Sequence, residues 1–60
     1  MNNIKYMREK YNLTQMSIAL AIGVSINTIV KWENNVSKPS DDNMRKLEDM
    51  FSTLRIERGE

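Results

Sequence analysis

Cysteine and histidine are both absent from the chain, and each absence closes off a class of chemistry. Without cysteine, neither a disulfide framework nor a thiolate metal site supplements the core. Without histidine the commonest general base is missing as well. The sequence also has no P-loop and no spaced set of metal ligands, so no enzyme and no cofactor are expected. No apolar run is long enough to span a bilayer, and the N-terminus carries no signal-peptide pattern. The expectation is a cytoplasmic protein with no membrane partner and no small-molecule ligand. Glycine occurs twice and proline once, and two of these three, Gly23 and Pro39, mark breaks in helical patterning. At 60 residues the chain makes one domain. A chain of this size buries only about 60% of its unfolded surface, a deficit that helix-rich order and dimerisation usually offset.

What is present concentrates between Leu13 and Asn35. Thr14 is a hydroxyl residue placed to accept from an orphan amide, directly before a run of good helix formers. Ile18, Ala19 and Ile22 then recur at the three-and-four spacing of one apolar stripe, with Gln15, Met16 and Ser17 on the first turn. Gly23 ends this helix, because a left-handed residue suits glycine alone without steric cost. Val24 fills the turn and Ser25 caps a second helix, whose inner stripe is Ile29 with Trp32 or Glu33. Its opposite face carries Ile26, Asn27, Val30, Lys31 and Asn34. Such a mixture of apolar and hydrogen-bonding groups suits base edges in a major groove.

On either side, Ile4, Met7 and Tyr11 form the inner stripe of a first helix from about Asn3 to Tyr11, closed by Asn12. Pro39 pushes Lys38 toward an extended conformation. Ser40 caps a further helix in which Asp41 and Asp42 favour the positive end of the dipole while Met44, Leu47 and Phe51 face the core. Leu54 and Ile56 are spaced for neither face of a helix, so the tail from Thr53 reads as a final turn or an extended arm. The patterning predicts an all-α fold: a compact bundle of four to five short helices around a central helix-turn-helix, with helix two about 14–22 and helix three about 25–34.

Charge divides along the chain. Residues 1–40 hold five cations against two carboxylates, a net of +3, whereas residues 41–60 hold four against six, a net of −2. The helix-turn-helix half is the basic half, as befits a face that approaches phosphates.

Ile4, Met7 and Arg8, Leu13-Thr14-Gln15, Ile18-Ala19, Gly23-Val24-Ser25, Thr28-Ile29, Trp32-Glu33-Asn34 and Lys38-Pro39-Ser40, followed by Met44 and Leu47, stand in the order of a known pattern. From Ile4 to Phe51 the chain resembles the DNA-binding domains of the lambda-repressor-like, Cro/CI-type helix-turn-helix family. The resemblance implies that Arg8 and Glu33 pair across helices as a structural ion pair, and that Trp32 belongs to the core. It places Gln15, Ser25, Ile26, Asn27, Thr28 and Lys31 at the bases. There Gln15 suits a phosphate, which its helix start favours, or an adenine edge, Asn27 adenine N6 and N7, Ile26 a thymine methyl, and Lys31 a guanine or a phosphate; for Ser25 the cap is the stronger role. It lays Asn34, Asn35, Ser37 and Lys38 over the sugar-phosphate backbone. Asn35 replaces the family's usual glycine, a tolerable change for a residue that visits the left-handed region.

Two departures stand out. Met16 and Ser17 replace a common acidic pair, so the capping box is expected to be lost and Met16 exposed. Asp41 and Asp42 would repel phosphates, so contact from that helix end is expected to be absent. The function implied is a transcriptional regulator, a phage or mobile-element repressor that occupies a pseudo-palindromic double-stranded DNA operator as a homodimer. Met50, Phe51, Leu54 and Ile56 are the dimer candidates, with residues 52–60 as the dimerisation tail. The competing reading is a protein-binding adaptor, an antitoxin-like or anti-repressor module that turns Met16, Ile26 and Val30 to a protein.

Overall fold

A computed structural model describes residues 3–60. It has four helices, α1 (Asn3–Lys10), α2 (Gln15–Ile22), α3 (Ile26–Glu33) and α4 (Asp41–Glu57), and no strand among the described residues. Three N-termini follow one rule. The side chains of Thr14, Ser25 and Ser40 each accept from the amide three residues on, at Ser17, Thr28 and Asn43. Each bond satisfies one of the donors that a helix start leaves open.

The four C-termini also share a design. Asn12, Gly23, Asn35 and Gly59 all have positive φ, between 56° and 76°. The next residue's amide then reaches back over the reversal: Leu13 to Arg8 O at 2.9 Å, Val24 to Ala19 O at 3.0 Å, Val36 to Lys31 O at 2.8 Å and Glu60 to Arg55 O at 3.0 Å. These six-to-one bonds satisfy carbonyls that would otherwise be orphaned. Two asparagines serve beside two glycines because asparagine tolerates the left-handed region better than other side chains.

The core is drawn from every segment: Tyr11 after α1, Ile18, Ala19 and Ile22 of α2, Ile29 and Trp32 of α3, and Leu47 and Phe51 of α4. Leu47 and Phe51 are four residues apart and lie on one face of α4. Ile4 and Met7 of α1, Leu13, Val24, Met50 and Leu54 pack half-buried around that centre. α1 contributes no fully buried residue within its helical span and lies over the core as a cover.

Three expectations are corrected. The capping box of α2 is formed, not lost. The Ser17 amide donates to Thr14 Oγ1 at 3.0 Å while the Thr14 amide donates to Ser17 Oγ at 3.1 Å, so a hydroxyl does the work usually given to a carboxylate. Met44 is 40% exposed at the rim of a groove beside Ile4 and Met7, not in the core. The tail is neither a separate turn nor an arm, because α4 runs unbroken to Glu57. No glycine or proline interrupts it, and Leu54 shares a face with Met50 while Ile56 points outward, 75% exposed.

Candidate nucleic-acid interface

The turn between α2 and α3 is built from Gly23, Val24 and Ser25. Gly23 reverses the chain at φ 76°, Val24 packs half-buried against the core, and Ser25 opens α3. Two bonds engage the Ser25 hydroxyl: it accepts from the Thr28 amide at 3.2 Å and meets Thr28 Oγ1 at 2.9 Å. Ser25 and Thr28 thus act as one unit whose first task is the helix start.

α3 is anchored by its inner face and open on its outer one. Ile29, Trp32 and Glu33 are buried, whereas Ile26, Asn27 and Lys31 are exposed and Thr28 and Val30 are half-buried. The exposed three lie on the first two turns of α3 and offer an apolar surface, an amide and an ammonium side by side. The segment after α3 is also open. Asn34, Asn35, Ser37 and Lys38 are all exposed, and Asn35 adopts φ 60°. Asp41 and Asp42, on the first turn of α4, bring negative charge to the far end of this segment.

Behind the turn sits a polar cluster. Arg8 grips Glu33 with two bonds, Nε to Oε2 at 2.6 Å and Nη2 to Oε1 at 3.0 Å, and its Nη1 donates to Leu13 O at 3.2 Å. The Glu33 side chain is only 4% exposed and that of Arg8 17%. The hydrogen bond that Arg8 donates to Glu33 raises the pKa of Arg8 above the ordinary guanidinium value, against the opposing pull of burial. Gln15, the first residue of α2, donates its side-chain amide to Glu33 Oε1 at 3.1 Å. One buried carboxylate therefore joins the end of α1, the start of α2 and the end of α3.

The four dimer candidates do not share a surface. Phe51 is core, stacked on Tyr11 with ring centroids 6.2 Å apart. Met50 and Leu54 line a shallow groove with Leu13, Ser17 and Ala21, of about 360 Å³. Ile56 falls seven residues after Asp49, on the polar side of α4.

Two arrangements escaped the sequence. The Gln15–Glu33 bond spans 18 residues. The last residues also fold back on the end of α1: Glu60 accepts from Lys10 Nζ at 2.9 Å and from the Tyr11 hydroxyl at 3.3 Å, and Arg58 lies over the Tyr11 ring at 5.1 Å while donating to Tyr11 O. No periodicity announces contacts of that range.

Residues 4–53 match the helix-turn-helix family model. The chain belongs to the XRE/lambda-repressor-like helix-turn-helix family. No match is found among curated proteins or among solved structures. The family is one of DNA-binding regulatory domains and not of enzymes, and double-stranded DNA is the partner its motif serves. Among the described residues, no helix is long and apolar enough to cross a membrane, and no group of acidic side chains is placed to hold a metal ion.

Proposed function

We propose that this helix-turn-helix protein is a transcriptional repressor of the phage or mobile-element, Cro/CI type, binding a pseudo-palindromic operator as a homodimer. The observation that carries the reading is the contrast between the two faces of α3: Ile29 and Trp32 are fixed in the core while Ile26, Asn27 and Lys31 stand open beside them. A rigid helix with free hydrogen-bonding groups suits direct readout in the major groove. Gln15, Ser25 and Thr28 complete the base-reading set. Asn34, Asn35, Ser37 and Lys38 fix the register on the phosphates. Two half-sites about 34 Å apart match a two-fold dimer, whose contact draws on the half-buried Met50 and Leu54 at the α4 groove, while Phe51 stays in the core and Ile56 lies on the opposite face of α4.

Selection from a random duplex library tests this. Enrichment of a symmetric site is expected, and Asn27→Ala relaxes the preference at one symmetric position. Failure to enrich any site over non-specific DNA refutes the proposal.

A second reading, the protein-binding adaptor, draws on two exposed apolar side chains, Met16 at 49% and Ile26 at 37%. Salt separates the two. Binding through several phosphates weakens steeply as salt rises, whereas an apolar protein contact does not.

A further inference from the structure

A carboxylate only accepts hydrogen bonds, and a glutamine amide has one accepting side and one donating side. Glu33 therefore dictates which way the Gln15 amide faces. With Nε2 held at 3.1 Å from Glu33 Oε1, the Gln15 carbonyl is turned away from the carboxylate, and one N–H is already committed. Left to itself, a side-chain amide at a helix start flips freely between its two orientations. Here the flip would set carbonyl oxygen against buried carboxylate, an unfavourable contact. The carboxylate is in turn immobile, because Arg8 holds both of its oxygens and the side chain is 4% exposed.

We infer that Arg8 and Glu33 are positioning residues for recognition: they lock the Gln15 amide so that it meets DNA with its carbonyl oxygen and one N–H in a fixed order, a preformed acceptor and donor. This rests on the proposed function, and it adds a role for two residues that need not touch DNA. Preorganisation of this kind raises affinity by removing the loss of side-chain freedom on binding. It also confers selectivity. The remaining N–H alone suits a phosphate oxygen, whereas oxygen and N–H together in a fixed order suit the adenine edge with its N6 donor and N7 acceptor.

The variant that isolates this role is the double replacement Arg8→Met with Glu33→Leu. Exchanging a buried ion pair for apolar side chains of similar volume is often neutral for folding, whereas removing one partner is not. Cooperative thermal unfolding of the double variant establishes that the fold is retained. Should it not fold, the native protein alone decides: Gln15 side-chain amide protons that exchange as fast as those of the exposed Asn27 overturn the proposal. The first readout needs no DNA: the side-chain ¹H–¹⁵N signals of Gln15 in the free protein. In the native chain these are expected shifted and slow to exchange, and in the variant they collapse to the averaged signals of a free amide. The second readout is affinity for the selected operator. Gln15→Met is expected to weaken native binding about tenfold, and to weaken the variant less than about twofold, because the amide there is no longer set.

Identical Gln15 signals in both backgrounds overturn the positioning role. So do equal Gln15→Met losses on a specific operator, and in that case the repressor reading survives. A native protein that selects no duplex overturns both, and its Gln15 signals then report only on packing.

Discussion

Tyr11 and Phe51 stack at 6.2 Å between centroids and 22° between planes, joining the end of α1 to the middle of α4. Both are buried, and Leu47 lies one turn before Phe51 on the same face of α4. The pair therefore ties the end of α1 to α4 within the shared core. Phe51→Ala is expected to remove about 3–5 kcal/mol, which is most of the stability of a domain this small. Ile56→Ser, five residues on and exposed, should change monomer stability by less than about 0.5 kcal/mol. Urea denaturation of the two variants checks the contrast.

Gly23→Ala isolates backbone strain from crowding. An added Cβ would meet nothing within 4 Å, yet φ is +76°. The loss, about 1 kcal/mol, comes from the left-handed conformation alone. A shift of the urea midpoint with an unchanged slope is the expected result; an unchanged midpoint would show that the turn relaxes to another conformation.

The serine in the α2 capping box makes a further prediction. Ser17→Ala removes the acceptor of the Thr14 amide but leaves Thr14 Oγ1 bonded to the amide of residue 17. Thr14→Ala removes the hydroxyl of the N-cap itself and should destabilise by about 1 kcal/mol, with Ser17→Ala costing less. Ser17→Glu restores the reciprocal bond and adds a negative charge near the helix start, so thermal melting should rise above that of the alanine variant.

Glu60 gives a pH dependence of known sign. Its hydrogen bond with Lys10 holds its carboxyl below the usual value, with the Tyr11 hydroxyl adding a smaller push in the same direction. A depressed carboxylate contributes fully above its ordinary value of about 4.3. That contribution is lost as the pH falls through the lower folded value. NMR titration of the Tyr11 ring should follow this loss, and Glu60→Gln should abolish the step. Because Glu60 and Lys10 are exposed, added salt weakens the same contact.

The helix boundaries were legible because their causes are local. Thr14, Ser25 and Ser40 each act on an amide three residues away, and Asn12 and Gly23 end helices by their own backbone preference. The inner face of α3 was legible for the same reason, since helical spacing alone separates Ile29 and Trp32 from Asn27 and Lys31. Where structure and sequence pattern part, the local rule has more than one chemical solution. The capping box usually takes a carboxylate, and Ser17 builds it with a hydroxyl. Met44 has core spacing relative to Leu47, but it sits at the groove rim beside Ile4 and Met7. Ile56 suggested a break in the tail because it lies two residues from Leu54. Helix simply continues with Ile56 facing outward, since nothing in the sequence stops it before Gly59. The contacts of Gln15 with Glu33 and of Glu60 with Lys10 were not legible at all, because they depend on how finished helices pack.

The left-handed closures at Asn12, Gly23, Asn35 and Gly59 also bear on how the chain finds its fold. At each reversal the residue after the left-handed position bonds back five residues, so the stop of every helix is written in its own segment. Such a chain has a low sequence separation between contacting residues, the property that places helical domains in the microsecond to millisecond range of folding times. Long-range pairs such as Arg8 with Glu33 join helices whose ends are defined without them.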